Sequence, residues 1–370
     1  MKKKLHIISF DVPSPPDYGG IIDVFHKLKH LTKADVDVIL HCFQYGRKES
    51  VELEKICHQV HYYQRKKGLF HLFSSYPYIV TTRKSKALFK NLQNEIAPVL
   101  FEGLHTCYYI NHPLLTAYRK IVRTHNIEHE YYRHLGLAEK NIFYRYYFKQ
   151  ESLKLRCFEK KIKHASNILS ISPDDTRYFK NKYGMGTFIP AFHPFEGLQT
   201  KQGLGDYILF HGNLSVNENL KAVNYLLDHI FSEITLPVII AGKNPPDWLF
   251  KKIRDIPHIS LVGNPDIEEM NQLIQNAQIN LIPTFQPTGL KLKLLTSLFL
   301  GRHCITNSPM VSNTGLGHLC YLADTVKDMV KIIQQKFDEE ITTEEISQRK
   351  AVLENQFSNE YNANKIYDII

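Results

Sequence analysis

The chain has 370 residues, more than one hydrophobic core usually serves, so two domains are expected. Its 43% hydrophobic and 22% charged residues are typical of a soluble globular protein, and no apolar run approaches the roughly 20 residues that a membrane span needs. The six cysteines are scattered without a CxxC pair, which argues against a disulfide framework and favours reduced thiols in a cytoplasmic protein.

The charge is distributed unevenly along the chain. Residues 1–200 contain 31 Lys and Arg against 18 Asp and Glu, a net charge of +13. Residues 201–370 contain 15 basic and 19 acidic residues, a net charge of −4. This asymmetry predicts an acidic partner for the first half: nucleic acid, an anionic membrane surface or a phosphorylated substrate.

The first half alternates short apolar segments with helical ones. A strand is predicted at 5–12, followed by the turn-rich loop PSPPDYGG, a helix over Ile21–Leu31 and a second strand in VDVILHCF. Such near-continuous apolar strands are typical of a parallel sheet covered on both faces. Further strands are predicted at 60–63, 98–102, 120–124 and 167–171.

The same alternation starts again after a polar linker at about 195–205. Its strands are predicted in DYILFHG, LPVIIAG, HISLVG, INLIP and HCITN. The sequence therefore predicts an α/β protein with two doubly wound, Rossmann-like domains facing across a cleft. The boundaries are placed at 1–195 and 196–355, and 356–370 is expected to form a helix that crosses back to the N-terminal domain. Ligands of such sheets bind at the carboxyl ends of the strands.

Paired glycines follow the first predicted strand. Gly19 and Gly20 stand at the start of a helix, where backbone can approach a ligand closely and the helix N-terminus favours anions. A tight strand-to-helix turn without a ligand explains the same residues.

The second series opens in a similar way. Gly212 and Asn213 follow the strand YILF, and a helix comes next. Strand, glycine and helix start together make a candidate phosphate site. The absence of GxGxxG argues against a nicotinamide-dependent dehydrogenase. The residues expected to cap the helix are Ser215, Asn217 and Asn219.

A third segment combines a strand, a loop and a basic helix start. After INLIP, the loop ends at Gly289 and a helix is predicted to about Leu300, with Gly301 as its C-cap. Lys291 and Lys293 lie in the first turn, where the helix dipole disfavours cations. A diphosphate bound at this helix N-terminus explains the pair; solvated lysines tolerated at small cost are the alternative.

In this order, the segments resemble the GT-B glycosyltransferases of the large retaining group called family 4. PPDYGG is similar to the family's N-terminal glycine loop, and Arg123–Glu128 (RTHNIE) to its HNxE stretch. ISPDD at 171–175 resembles its ISP/D element. HGNLSVNENLKAV and KLLTSLFLGRHCITN are similar to its donor-domain opening and to its K-V-L-E-A helix and strand.

One departure from the family pattern concerns two acids. The family has two glutamates eight positions apart, one contacting the donor sugar and the other the nucleotide ribose. Thr288 and Thr296 stand at the matching positions, so hydroxyls replace both carboxylates. Lys293 matches the family's lysine and Gly301 its glycine.

The resemblance implies an enzyme, a hexosyltransferase that is retaining. The donor is a nucleoside diphosphate sugar bound by the C-terminal domain, and the acceptor, a cell-surface glycan or lipid-linked molecule, lies against the N-terminal one. His105, His125 and Lys293 are the candidate catalytic residues. The candidate donor-binding residues are Gly19, Gly20, Gly212, Asn213, Lys243, Thr288, Gly289, Leu290, Lys291 and Thr296.

The sequence leaves two other functions open, and it contains two pairs of residues that could suggest a metal site. A nucleotide-sugar epimerase shares the fold but needs carboxylates at the reacting carbon, and a degenerate protein could bind nucleotide sugar without turnover. No nucleic-acid-binding motif is present in the sequence. Asp35 and Asp37 spell DxD and His125 and His129 are four apart, but neither pair has the context of a metal site. No cofactor and no metal are expected.

Two basic aromatic stretches, 65–78 and 143–164, remain outside these motifs. Interleaved aromatic and cationic side chains can anchor a protein surface among lipid headgroups, stack on single-stranded nucleic acid, or simply belong to an amphipathic helix. Their place in the acceptor-side domain favours the membrane. A cytoplasmic protein, peripheral at the inner face of the plasma membrane, is therefore expected.

Overall fold

The computed structural model describes residues 2–286 and 291–370 and divides the chain into two compact units. The first consists of Met1–Pro194 together with Asn359–Ile370, and the second of Phe195–Ser358. Each unit is built on a parallel β-sheet flanked by helices. Across the described ranges, no helix has the length and apolar character needed to cross a bilayer.

Over residues 2–194 the first unit forms a seven-stranded sheet. Its strands are β1 (Lys3–Ser9), β2 (Val36–Gln44), β3 (Gln59–Gln64), β4 (Val99–Glu102), β5 (Lys120–Thr124), β6 (Asn167–Ser170) and β7 (Thr187–Phe188). All pairings are parallel, in the order β3-β2-β1-β4-β5-β6-β7. The order reverses between β1 and β4, and the crevice beyond such a reversal is where α/β sheets bind ligands.

The helices of the first unit cover this sheet on both faces. Strand β4 shows why both faces are apolar: Val99 and Phe101 pack into one core, and Leu100 into the other, with Leu5 and Ile7 of β1. The α-helices are α1 (Gly19–Lys33), α2 (Val51–Ile56), α3 (Tyr78–Thr81), α4 (Lys86–Gln93), α5 (Glu128–Ala138), α6 (Ile142–Glu159) and α7 (Pro173–Tyr183). Short 3₁₀ helices lie at Leu69–Phe73, Leu104–Tyr109, Pro113–Leu115 and Lys160–His164.

The second unit repeats this plan with six strands in its described part. They are β8 (Ile208–His211), β9 (Val238–Gly242), β10 (Ile259–Gly263), β11 (Ile279–Leu281), β12 (His303–Thr306) and β13 (Tyr321–Leu322), in the order β10-β9-β8-β11-β12-β13. The reversal falls between β8 and β11. The helices are α8 (Asn217–Tyr225), α9 (Asp247–Ile253), α10 (Ile267–Asn276), α11 (Leu292–Leu300), α12 (Ser308–Val311), α13 (Val326–Phe337) and α14 (Thr343–Gln356).

The last helix, α15 (Asn359–Ile369), belongs to the first unit. Its Ala363 and Ile366 are fully buried in the core that holds Val24 and Leu28 of α1. The ammonium group of Lys3 donates to the carbonyl oxygens of its C-terminal turn, 2.8 Å from Tyr367 O. Helix α15 thus packs into the same core as β1 and α1.

Every strand predicted from apolar periodicity is present, and α1 extends the predicted helix by two residues at each end. The two-residue edge strands β7 and β13 were missed, because so short a segment has no periodicity to detect. Gly301 is the C-cap of α11, as predicted, but its φ of −86° is one that any residue adopts. Glycine is required there by crowding: a Cβ would collide with the side chain of Asn280.

A chain of hydrogen bonds between buried side chains crosses β1, β2 and β3. His6 Nε2 contacts the Glu95 carbonyl at 2.9 Å, and His6 Nδ1 contacts His41 Nε2 at 3.0 Å. His41 Nδ1 in turn lies 2.8 Å from the Tyr63 hydroxyl. Because a carbonyl can only accept, His6 Nε2 carries its proton, His41 Nε2 donates to His6, and Tyr63 donates to His41. Both imidazoles are neutral in this arrangement, and burial lowers the pKa of each.

This chain predicts a loss of stability in mild acid. The unfolded chain binds protons near pH 6.5, before folded His6 and His41 do, so the free energy of unfolding should fall as the pH drops below 6.5. His41→Gln preserves one donor and one acceptor but cannot titrate. Between pH 7.5 and pH 5, its free energy of unfolding in urea should therefore fall by about 1 kcal/mol less than that of the wild type. The exposed control His58→Gln should follow the wild type. Equal losses in all three proteins would contradict this assignment.

Candidate functional site

In the first unit, predicted residues meet around Phe10, just after β1. Gly19 and Gly20 begin α1, as expected, and no side chain caps this helix start. A Cβ on Gly20 would lie 2.9 Å from the Phe10 ring, so a larger residue would displace that ring, whereas its distance of 3.5 Å from His125 Nδ1 would be an ordinary contact. The rings of His105 and His125 lie 5.5 and 5.6 Å from that of Phe10.

His125 follows β5, and its ring lies between Phe10 and the buried carboxylate of Glu102. Its Nε2 lies 3.1 Å from Glu102 Oε2 and 3.6 Å from Asp23 Oδ2, so Nε2 is the donor nitrogen. About 11% of its side chain remains exposed. The ring is therefore oriented by buried acids while part of it reaches solvent.

Below His125 lies a cluster of four fully buried charges, Asp23, Lys27, Glu102 and Arg123. Lys27 Nζ lies 3.0 Å from Asp23 and 2.8 Å from Glu102, and Arg123 Nη2 lies 3.0 Å from Asp23. Although burial opposes ionisation, Arg123 and Lys27 hold the pKa of Asp23 far below its usual range. Lys27 and His125 likewise lower the pKa of Glu102 against the effect of burial. The two carboxylates are thus balanced by two fixed cations.

His105 lies in the 3₁₀ helix after β4, beside Glu128, the glutamate of the HNxE-like stretch, which was not among the predicted site residues. Its Nδ1 is 4.0 Å from Glu128 Oε1. Burial raises the pKa of Glu128 to about 8, and burial together with Arg83 lowers the pKa of His105. At pH 7 the pair consists of a protonated carboxyl group and a neutral imidazole, both able to hydrogen-bond to hydroxyl groups.

In the second unit, the candidate phosphate loop follows β8. A Cβ on Gly212 would lie 2.9 Å from Lys293 Nζ and 3.1 Å from the Asn219 side chain. Lys293 donates to Asn219 Oδ1 at 2.6 Å, and Asn219 Nδ2 donates to the Asn213 carbonyl at 2.9 Å. The structure therefore brings together Gly212, Asn213 and Lys293, three predicted site residues from two distant segments.

Lys293, in the first turn of α11, is a largely buried cation that reaches this loop. Its ammonium group lies 4.7 Å from the centroid of the Phe210 ring. Burial lowers its pKa to about 8, the charge of Glu218 acts in the opposite direction, and Lys291 adds to the lowering. Glu218 accepts a hydrogen bond from the Thr284 hydroxyl, and its carboxylate lies near enough to act on Lys293. It was not among the predicted site residues.

The predicted capping of α8 was wrong. The N-cap is Val216, whose side chain makes no capping hydrogen bond. Asn213 Oδ1 instead accepts from the backbone nitrogen of Ser215 at 3.0 Å and from its hydroxyl at 2.7 Å, forming a local turn. Asn219 is used by Lys293. The polar residues expected at the helix start thus hold the preceding loop in shape.

The remaining predicted donor-site residues occupy different environments. Lys291 is the N-cap of α11 and donates to the Gln286 carbonyl at 2.7 Å. Thr296 donates to the Leu292 carbonyl at 2.9 Å, so its proton is used within the helix. Lys243 is exposed just after β9, and its carbonyl accepts from Leu214 N at 2.8 Å. Three further predicted residues, Thr288, Gly289 and Leu290, lie outside the described residues.

Comparison with known sequences finds one curated protein, and its sequence identity does not assign this chain to a family. No protein-family model matches the chain. Over 339 residues it is 28% identical to a Klebsiella pneumoniae protein described as an uncharacterized 44.6 kDa protein in the cps region, with 85% of each chain covered.

Comparison with solved structures is more decisive for the fold. Sucrose-phosphate synthase from Thermosynechococcus elongatus matches with a TM-score of 0.72 and 13% identity, covering 100% of this chain and 98% of that one. HepE from Anabaena, in complex with UDP and glucose, matches with a TM-score of 0.64 and 11% identity, covering 99% and 98%. The chain has the GT-B fold. The loops after β1 and β4 and the loop after β8 lie at the carboxyl ends of strands next to the reversals in strand order, where α/β sheets in general bind ligands.

Proposed function

We propose that this protein is a glycosyltransferase of polysaccharide biosynthesis. It takes a sugar from a nucleoside diphosphate sugar and transfers it to a cell-surface glycan or lipid-linked acceptor at the cytoplasmic face of the membrane. The GT-B fold, a similar protein crystallised with UDP and glucose, and a relative in a capsule (cps) region support this proposal.

The observation that carries the proposal is the position of Lys293. It is a largely buried ammonium group beside Gly212, at the carboxyl end of β8, where a Cβ would crowd it. No carboxylate of the described residues lies within 4.0 Å of it; its hydrogen-bond acceptor is the neutral amide of Asn219. A cation held in this way gains most from a diphosphate, which also profits from backbone N–H groups at the loop.

The proposed reaction proceeds with retention at the anomeric carbon. The acceptor oxygen bonds to that carbon, the bond to the donor's β-phosphate oxygen breaks, and the hydroxyl proton passes to the leaving phosphate. Lys293 then stabilises negative charge that is larger on the leaving diphosphate than on the intact donor. In the first unit, His105, Glu128 and His125 offer hydrogen bonds to sugar hydroxyls.

The proposed reaction does not involve a metal ion. The ligand atoms of Asp23, Glu102 and His125 lie within 4.8 Å of one another, as a metal site would require. However, Lys27 and Arg123 already supply two positive charges to the two carboxylates. A divalent ion would add charge to a balanced cluster, which buried sites disfavour.

Membrane contact is proposed through exposed apolar side chains in and beside the two basic aromatic stretches of the first unit. Phe73 is 89% exposed and Phe143 is 81% exposed, and Leu69, Phe70 and Ile142 are also largely exposed. Exposed aromatic side chains beside lysines and arginines fit the headgroup region of an anionic bilayer. A lipid-linked acceptor would be presented at such a surface.

A direct test is a transfer assay with radiolabelled nucleoside diphosphate sugars and a lipid extract as acceptor. We expect one donor to label lipid, with equal rates in EDTA and in added Mg²⁺. UDP binding without transfer from any donor would indicate a binding protein that has lost turnover. No binding of any nucleotide would contradict the proposed function, and inhibition by EDTA would contradict the metal-free reaction.

A further inference from the structure

The first unit also contains a ligand-sized cavity. It shares no lining residue with the surface formed by Phe10, Gly20, His105 and His125. Its volume is about 730 Å³, within the range of roughly 300–1,000 Å³ that is usual for ligand sites. Its walls come from the 3₁₀ helix Leu69–Phe73, from α3, and from the turn between α3 and α4, with Tyr108 on one side. We call it the lysine pocket, after Lys66, Lys84 and Lys86, which line it.

The charge of the lysine pocket is entirely positive. None of the residues that line it is an aspartate or glutamate. Within the described part of the chain, no carboxylate lies within 4.0 Å of the ammonium group of Lys66, Lys84 or Lys86. Three exposed lysines that line one cavity without a carboxylate partner attract a polyvalent anion.

A buried imidazole in the wall points to the same kind of ligand. His71 is only 8% exposed, yet its Nε2 has no hydrogen-bond partner among the described residues. A buried polar atom without a partner is costly unless a ligand or water completes it. Burial and the charge of Lys66 lower the pKa of His71, so an anion that neutralises Lys66 would make the ring easier to protonate.

The helix that starts at the pocket adds to its positive field. Helix α4 begins at Lys86, and Ser85, its N-cap, accepts from Leu88 N at 3.2 Å. Both Ser85 and Lys86 line the cavity, so the positive end of the helix dipole meets it. Cations, a helix N-terminus and an unpartnered imidazole are independent features that favour one ligand chemistry.

We propose that the lysine pocket binds the phosphate or diphosphate group of the acceptor, with the aromatic rings of Tyr76 and Tyr108 beside the attached sugar. This inference rests on the proposed function, because the donor is assigned to the second unit and leaves the pocket to the other substrate. The 3₁₀ helix that carries His71 also carries exposed Leu69 and Phe73, which places an apolar surface next to the phosphate site. A lipid-linked sugar diphosphate has this sequence of apolar, anionic and sugar parts.

The test is calorimetry on the full chain with inorganic pyrophosphate, in saturating UDP to block the donor site. Lys66→Gln/Lys84→Gln/Lys86→Gln should raise the Kd for pyrophosphate at least 30-fold, because each charge-assisted contact contributes up to about ten-fold. The control Lys55→Gln/Lys163→Gln/Lys180→Gln removes three exposed lysines that lie outside α4 and outside the pocket lining, and it should change the Kd less than two-fold. Equal effects of the two triple variants would overturn the proposal.

A second measurement does not depend on lysine variants folding normally. In histidine-labelled wild type, pyrophosphate should shift the His71 imidazole signal, assigned by its loss in His71→Gln. An unshifted signal at saturating pyrophosphate would refute a phosphate site at His71. UDP binding is measured separately, so its failure would remove the proposed function without deciding whether pyrophosphate binds.

The source of the phosphate is distinguished with two further probes. Farnesyl diphosphate should bind at least as tightly as pyrophosphate, since the isoprenoid chain can contact Leu69 and Phe73. Binding to phosphatidylglycerol vesicles should persist in the lysine triple variant, because the exposed aromatic surface remains. If only vesicles bind, and neither diphosphate does, the lysines serve a headgroup surface and the acceptor-site proposal is wrong.

Discussion

Replacing Lys293 with alanine is expected to raise the Kd for UDP and for the donor sugar nucleotide at least ten-fold, with the fold intact. The ammonium group is held at the Gly212 loop by the neutral side chain of Asn219, so its charge is available to a phosphate. Losing a charge-assisted hydrogen bond of about 1.5–3 kcal/mol corresponds to a ten- to hundred-fold change. Calorimetry measures the affinity, and urea unfolding checks that stability is preserved.

The same residue gives donor binding a distinctive dependence on pH. Since burial lowers the pKa of Lys293 to about 8, the free protein loses this charge as the pH rises through 8, and UDP affinity should fall above that value. Lys293→Ala should bind UDP weakly at pH 7 and pH 9 alike. Lys331→Ala, an exposed lysine on α13, should keep the wild-type profile. A wild-type affinity that is flat from pH 7 to 9.5 would remove Lys293 from the donor site.

The largest effect on stability is expected from Asp23→Asn. This change keeps the shape of the side chain but removes a carboxylate that contacts both Lys27 and Arg123. Lys27 then keeps Glu102 as its carboxylate partner, whereas Arg123 has no other carboxylate of the described residues within 4.0 Å. Breaking a buried pair in this way costs about 3–5 kcal/mol. The free energy of unfolding in urea should fall by that amount.

A matched control is available in the same unit. Asp35 is exposed and has a positive φ of 59°, a conformation that asparagine tolerates well. Asp35→Asn should therefore change the free energy of unfolding by less than about 0.5 kcal/mol. If Asp23→Asn were equally mild, the four buried charges would not act as one cluster.

The strands were predictable because a parallel sheet covered on both faces requires apolar runs, and those runs are visible in the sequence. The buried charges were not. Arg123 contacts Asp23, a hundred residues earlier, only because β1 and β5 flank β4 in the sheet. One signal was present: Asp23 and Lys27 stand four residues apart on the otherwise apolar face of α1.

In the candidate site, too, residues with a local sequence pattern were predicted, and residues whose role depends on contacts distant in sequence were missed. Gly212 and Lys293 were each predicted from a local pattern of strand, glycine and helix start. Glu218 was missed because its significance depends on Thr284, which comes from another strand end. The lysine pocket was missed for a related reason: Lys66 appeared as part of a basic stretch, whereas its partners Lys84 and Lys86 come from a different segment.

The position of α15 has a consequence for how the protein is made. The core of the first unit lacks Ala363 and Ile366 until the last helix has been synthesised. Residues 195–358 are translated in between, which takes on the order of ten to thirty seconds at about 5–20 residues per second. During that time the apolar face of α1 that α15 will cover stays open on the ribosome. The second unit is one contiguous segment, so it can finish folding before the first unit, although residues 1–194 of the first unit are synthesised before it.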